Sequence, residues 1–140
     1  MAIQSPARDD YCPNFLQAIE EVKRAQATKD TFAGFSPPWF FRNTSDEYKN
    51  LFEYAGFNVE KSTIDKIVTN HSADEVYRIF ESGAAAGYLN QDYYSTRLTQ
   101  EYTDIFRSIV RKSFNDQAGK TGQVELTFYR IYLLAIKELG

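Results

Sequence analysis

The sequence predicts an α+β fold in which three to four helices pack on a small sheet. Helical patterns bounded by capping residues recur between residues 13 and 115, and extended apolar segments at 57–68 and 124–137 predict strands. The 140 residues, of which 43% are hydrophobic, suit one globular domain that spans residues 1–140.

Composition limits the classes of partner. The net charge is -3 and the pI is near 5.2, so the chain has no general attraction to nucleic acid or to anionic membranes. The single cysteine, Cys12, cannot form an internal disulfide, and no apolar run is long enough for a membrane span or a secretory signal. We therefore expect a cytoplasmic protein that binds neither nucleic acid nor membrane.

The first two elements are a strand end and a helix. Residues 2–4 suit the end of a strand, which Ser5 and Pro6 interrupt. A helix is predicted from Pro13, because proline is tolerated in the first helical turn. Its apolar face consists of Phe15, Leu16, Ile19 and Val22.

A second helix has both of its ends marked. Thr44 and Glu47 have the spacing of a capping box, and Gly56 stands where a left-handed residue ends a helix. The inward stripe is Tyr48, Leu51, Phe52 and Ala55. A strand follows from Phe57, and we expect a bend or bulge in it near residues 62–65.

Two further helices and a last strand complete the pattern. Ser72 and Glu75 form a second capping box, residues 83–97 predict a broken helix or lid, and a long helix runs over 99–115. The segment 124–137 alternates at first and then becomes apolar throughout, which predicts burial on both faces inside a sheet.

Several residues that could carry chemistry favour a structural interpretation. His71 is the only histidine and has no cysteine near it, so we expect a loop residue and no metal site. Cys12 is expected to be a packing residue, and Gly83–Gly87 lacks the Lys-Ser/Thr of a phosphate loop. A basic stripe on the last helix is expected to face solvent; it consists of Arg107, Arg111 and Lys112. No catalytic residue is assigned.

The loop after Pro37-Pro38 is the main candidate for a binding site. Adjacent aromatic residues, Trp39, Phe40 and Phe41, cannot all face one core, and Arg42 beside them offers a fork for a carboxylate or phosphate. Two interpretations remain open. In the first, two of the rings are buried in the core and the third lies at its edge. In the second, the rings line a ligand site.

The order of segments resembles the C-terminal half of class I S-adenosylmethionine-dependent methyltransferases, particularly the trans-aconitate and biotin-synthesis types. The resemblance covers essentially the whole chain. It rests on I-Q-S-P-A, C-P-N-F-L-Q-A-I, P-P-W-F-F, E-Y-K-N-L-F-E-Y-A-G-F-N-V and the terminal Y-L-L-A-I-K. The helix-Gly-Phe-strand segment, combined with the closing strand, is its most specific part.

The resemblance implies a sheet order. Ile3-Gln4 would end the family's fifth strand, the segment from Phe57 would be the sixth, and 124–137 would be the seventh, inserted antiparallel between them. This would make the chain equivalent to the C-terminal part of a Rossmann-like methyltransferase fold. The family's glycine-rich loop and acidic ribose-binding residue would lie upstream, so S-adenosylmethionine is expected in the complete enzyme and not on this chain alone.

The resemblance also implies a substrate side. Trp39, Phe40 and Arg42, with Tyr88 and Tyr94 from the lid, would bind a small methyl acceptor, and Arg42 would orient an acidic one. The chain is expected to be inactive alone, and to pair with a cofactor-binding half or with a second copy. The alternative is a non-enzymatic domain that binds a small ligand or a partner protein.

Overall fold

The computed structural model describes residues 1–137 and has the predicted α+β fold. The helices in this range are α1 (Pro13–Arg24), α2 (Lys29–Phe32), α3 (Ser45–Tyr54), α4 (Ala73–Ser82), α5 (Ala84–Tyr88) and α6 (Gln100–Ala118). The strands are β1 (Ala2–Pro6), β2 (Phe57–Ser72) and β3 (Gln123–Lys137).

Four of the helices are the ones that the sequence predicts, and the other two are short. The four-residue α2 lies in a polar stretch without apolar periodicity, and the five-residue α5 is the first part of the broken segment that follows Gly83. Over residues 1–137, no helix combines the length and the apolar character needed to cross a membrane.

The three strands form an antiparallel sheet in the order β1-β3-β2. Ile3 lies opposite Leu133 in the β1–β3 register. The N-terminal ammonium of Met1 donates to the Ala135 carbonyl at 2.7 Å, and the Ala135 amide donates back to Met1 at 2.9 Å. The prediction that the last strand lies between two neighbours is confirmed.

The described chain divides into two compact units. The first consists of Met1–Cys12, Phe40–Val68 and the chain from Thr127, and the second consists of Pro13–Trp39 and Thr69–Leu126. The first unit thus contains β1, α3 and most of β2 and β3, whereas the other five helices belong to the second. The assignment of residues 1–140 to a single domain remains a prediction.

The core of the first unit lies under α3. Tyr48 and Phe52 of this helix are partly buried against a cluster in the sheet, which consists of Ala7, Ile131, Leu133 and Ala135. Val59 and Ile64 contact the same cluster although they lie five positions apart on β2. Side chains an odd number apart in a regular strand point to opposite faces, so the backbone shifts its register between them, as a bulge does.

The prediction that β3 is buried on both faces is wrong for its second half. Leu134 and Ile136 are 41% and 47% exposed, whereas Leu133 and Ala135, which alternate with them, are buried. Apolar character marks both faces of the strand, but α3 covers only one of them within the first unit.

The ends of α3 follow their predicted chemistry. The Thr44 hydroxyl accepts a hydrogen bond from the Glu47 amide at 3.1 Å, and Gly56 has a φ of 94°. Phe57 then packs edge-on against Phe52, with ring centroids 5.7 Å apart. Leu51 was predicted to lie on the inward stripe of this helix. That prediction is wrong, because Leu51 is 46% exposed.

In the second unit, α1 and α4 both pack on α6. Phe80 of α4 is fully buried and contacts Phe15, Phe106 and Phe114, with ring centroids between 5.2 and 6.4 Å apart. The predicted cap of α4 is present, since the Ser72 hydroxyl accepts from the Glu75 amide. At the start of α6, the Thr99 hydroxyl accepts from the Tyr102 amide.

Candidate functional site

An apolar cavity of about 260 Å³ opens on the second unit and is the main candidate site. We call it the aromatic cavity. Its lining combines two turns of α1 with rings from three other segments: Leu16, Ile19, Glu20, Lys23, Phe32, Phe35, Pro37, Trp39 and Tyr88. Two of the residues that the sequence predicts for substrate binding, Trp39 and Tyr88, therefore share one wall.

Close packing determines where the indole of Trp39 lies. Its ring meets Tyr88 edge-on, with centroids 4.9 Å apart and planes at 73°. A Cβ atom added to Gly87 would lie 2.5 Å from Trp39 Cζ3, so only glycine lets the indole approach this close. The tight packing predicted for the Gly83–Gly87 segment is present at Gly87 and absent at Gly83, which has open space around it.

A short backbone bridge brings Phe35 to Tyr94. The Ser36 amide donates to the Tyr93 carbonyl at 2.7 Å, and the Ser95 amide donates to the Gly34 carbonyl at 3.0 Å. The rings of Phe35 and Tyr94 consequently lie 5.1 Å apart, and Phe35 also contacts Tyr88 at 5.4 Å. Tyr94 thus supports the cavity wall from behind, since it is itself 8% exposed.

The hydroxyl of Tyr94 belongs to a buried hydrogen-bond chain. It donates to the Tyr88 carbonyl at 2.5 Å and lies 2.9 Å from the Tyr102 hydroxyl, which must then donate to it. Burial, followed by the hydrogen bond with Tyr102, raises the pKa of Tyr94, and burial also raises the pKa of Tyr102. Both phenols therefore stay neutral at physiological pH and act as positioning groups rather than as bases.

Phe40 and Arg42 belong to the first unit. Phe40 is 79% exposed, and the Arg42 guanidinium lies over its ring, 4.6 Å from the centroid. Phe41 instead packs on Tyr11, with centroids 5.1 Å apart. The Arg42 side chain forms no ion pair with any of residues 1–137 and is available to an anion.

A strained turn, which was not predicted from the sequence, holds the backbone of this loop. Arg8 has a φ of 72°, rare for a residue with a side chain, and its amide donates to the Arg42 carbonyl at 2.8 Å. The Asp9 amide likewise donates to the Asn43 side chain at 2.8 Å. A bidentate pair with Asp10 and a ring contact with Tyr129 hold the Arg8 guanidinium.

The remaining polar candidates have structural partners. His71 lies in β2 rather than in a loop, and its ring nitrogens contact Glu75 at 3.0 Å and Thr69 at 2.9 Å. The His71 contact is the first cause of the lowered pKa of Glu75. Cys12 is fully buried, as expected for a packing residue. No group of three or more metal-ligating side chains occurs within residues 1–137.

The predicted basic stripe on α6 is paired with carboxylates. Arg107 binds Glu81 at 2.9 Å, Lys112 binds Asp116 at 2.8 Å, and Arg111 lies 4.0 Å from Asp74. These partly or largely exposed pairs offer no free cluster of cations to a ligand.

Of the five predicted substrate-binding residues, the structure brings Trp39, Tyr88 and Tyr94 together around Phe35, while Phe40 and Arg42 stack on each other in the other unit. Phe35 was not predicted as a wall residue, although it begins the aromatic stretch.

No protein-family model matches the chain, and no curated protein shows significant similarity to it.

Proposed function

We propose that the chain is the C-terminal, substrate-side portion of a small-molecule S-adenosylmethionine-dependent methyltransferase, inactive alone. In this proposal a cofactor-binding half outside the chain completes the enzyme. The site residues proposed for the methyl acceptor are Trp39, Phe40, Arg42, Tyr88 and Tyr94.

The sheet order is the observation that supports the proposal most. The resemblance implies that the last strand lies antiparallel between the first and second strands of this chain, and the observed order is β1-β3-β2. Sequential strands usually lie beside each other, whereas here β3 separates β1 from β2.

The aromatic cavity supports the substrate side of the proposal. Apart from Glu20 and Lys23, its walls are rings and aliphatic side chains, and Trp39 keeps an indole N–H with no acceptor among residues 1–137. Apolar walls with a few polar groups are typical of small-molecule sites. Such walls would hold the acceptor in one orientation and exclude water from it.

Methyl transfer needs positioning above all, since the bound cofactor supplies an activated methyl group for in-line displacement. The chain's own contribution would be to hold the acceptor. Arg42 is proposed to orient an acidic acceptor, because its guanidinium is a planar fork without a carboxylate partner among the described residues. The neutral hydroxyls of Tyr94 and Tyr102 would keep the cavity wall rigid.

The residues described here do not fit the cofactor itself. Gly83–Gly87, the most loop-like glycine segment, ends α4 and forms part of α5, and Gly87 is occluded by Trp39. We therefore assign no residue of this chain to S-adenosylmethionine.

Calorimetry tests whether S-adenosylmethionine binds only when a cofactor-binding half is joined to this chain. The chain alone is titrated with S-adenosylmethionine, and so is a polypeptide in which a cofactor-binding half precedes Ala2. We expect saturable binding only in the second case. Tight binding by the chain alone, or a folded chimera that binds no cofactor, would contradict the proposal.

Arg42→Ala in the complete enzyme tests the proposed role of Arg42. The KM for an acidic acceptor should rise while cofactor affinity stays unchanged, because the substitution removes only the group that faces the acceptor. Arg97→Ala is the matched control, since Arg97 is an exposed arginine to which the proposal gives no role. An unchanged KM in Arg42→Ala would remove Arg42 from the site.

A second candidate function is a non-enzymatic domain that binds a small ligand or a protein. The exposed apolar face of β3, with Leu134 and Ile136, favours it, because such patches often mark interaction surfaces. Ligand binding without methyl transfer in the complete polypeptide would support this alternative.

The proposed partners and location follow from the same reasoning. The small-molecule acceptor is the substrate, and the outer edge of β1 would pair with the cofactor-binding half or with a second copy. We propose a cytoplasmic protein with no role in nucleic-acid or membrane binding.

A further inference from the structure

We infer that the aromatic cavity takes a small molecule whose apolar body ends in a carboxylate, and that Lys29 holds this carboxylate. The inference rests on the proposed function in identifying this ligand with the methyl acceptor, and it makes Lys29, rather than Arg42 of the first unit, the residue that holds the acidic group. Binding of the carboxylate is nevertheless a property of this chain, and it is measured without any methyl transfer.

A second cavity adjoins the first and supplies the charge. It has a volume of about 330 Å³ and is lined by Lys23, Lys29, Phe32, Ala33 and Phe35. Because Lys23, Phe32 and Phe35 line both cavities, a ligand packed against these rings lies beside the lysines. In the proposed site, the aromatic cavity takes the apolar body of the ligand and the second cavity takes its charged end.

The ammonium of Lys29 is the free cation of this site. Lys23 already pairs with Glu20 at 2.9 Å, and Glu20 lines only the aromatic cavity. Lys29 has no ion pair and no side-chain hydrogen bond within residues 1–137, and no carboxylate lines the second cavity. The combined lining thus carries two lysines against one glutamate, in a chain of net charge -3.

The chemistry of the site favours a carboxylate over a phosphate. One unpaired ammonium matches one negative charge, whereas phosphate sites usually add backbone amides or an arginine fork. The two adjoining cavities have volumes of about 260 and 330 Å³, which together fall within the roughly 300–1,000 Å³ typical of small-molecule sites.

The sole tryptophan of the chain reports on this site directly, because Trp39 is part of the cavity wall. The wild-type chain is titrated with octanoate and with 1-octanol, which share an apolar body and differ in charge, and Trp39 fluorescence is recorded. The same titrations are run on Lys29→Met, which keeps an apolar stem, and on Lys29→Arg. Lys120→Met is the matched control, since Lys120 is exposed, unpaired among residues 1–137, and absent from both linings.

We expect octanoate to bind the wild type more tightly than octanol. Lys29→Met should weaken octanoate binding by up to about fivefold, as for a partly exposed ion pair, and should leave octanol binding unchanged. Lys29→Arg and Lys120→Met should bind octanoate like the wild type, and high salt should reduce the preference for octanoate.

Three results would overturn the inference: no saturable change in Trp39 fluorescence with octanoate, equal affinity for octanol and octanoate, or wild-type octanoate affinity in Lys29→Met. A different result is expected if the proposed methyltransferase function is wrong but the carboxylate site is right. In that case the carboxylate still binds and depends on Lys29, but the completed polypeptide transfers no methyl group to any carboxylic acid.

Discussion

Gly87 lies directly beneath the indole of Trp39, so close that a methyl group at this position would sit 2.5 Å from Cζ3. The contact joins α5 to the loop that carries the wall of the aromatic cavity, and Tyr88 meets the same indole edge-on at 4.9 Å. The shape of the cavity therefore depends on residue 87 being a glycine, which has no side chain.

Gly87→Ala should displace Trp39 and destabilise the fold by about 1–3 kcal/mol, the usual cost of overpacking. The emission of Trp39 should shift to longer wavelength as the indole moves toward water, and the urea midpoint should fall. Gly83→Ala is the control, because open space surrounds Gly83, and it should change stability by less than about 0.5 kcal/mol. Equal behaviour of the two variants would contradict the packing seen here.

Thr44→Ala should cost about 1 kcal/mol of stability, because the Glu47 amide loses its acceptor at the start of α3. Urea unfolding followed by circular dichroism measures this loss. Thr96→Ala makes the same chemical change at an exposed hydroxyl without a hydrogen bond in the described chain, and it should be nearly neutral. A loss in Thr96→Ala as large as that in Thr44→Ala would mean that the cap contributes little.

Stability should decline in alkaline solution because of Tyr94. Burial raises the pKa of this phenol above its ordinary value of 10.0, and Tyr102 is shifted in the same direction. The unfolded chain then loses its protons first, so the stabilisation is complete below about pH 10 and is lost as the pH rises toward the folded pKa. The expected slope is about 1.4 kcal/mol per pH unit for each phenol.

Urea unfolding between pH 8 and pH 11.5 measures that slope. Tyr94→Phe should be less stable at pH 8, because the Tyr88 carbonyl loses a donor, and should decline less steeply above pH 10. Tyr54→Phe removes a phenol that is 95% exposed and should retain the wild-type slope. A wild-type slope in Tyr94→Phe would rule out this residue as the source.

Ile136→Lys should reduce self-association of the chain. Ile136 is 47% exposed beside the edge strand β1, whose residues Ala2–Pro6 carry no charge that would discourage pairing. Sedimentation over a range of concentrations should show a smaller mass for the variant if copies associate through this face. Leu51→Lys is the control, since Leu51 has similar exposure on α3. A wild-type mass distribution for Ile136→Lys would exclude this surface as the contact.

The sequence alone determined most elements and their ends. The Thr44 and Ser72 caps and the positive φ of Gly56 are local, because each depends on atoms within a few residues of the chain. Such interactions are readable from spacing. The central place of β3 was also foreseeable from its long apolar run.

Only the tertiary structure decided which surfaces are covered and which side chains meet. Leu134 and Ile136 have the composition of a buried strand, but whether a face is covered depends on what packs there, and α3 reaches only the opposite one. Likewise, Phe35 meets Tyr94 through a backbone bridge between segments almost sixty residues apart. The place of Lys29 beside these rings is equally non-local, because packing between distant segments leaves no periodic trace in the sequence.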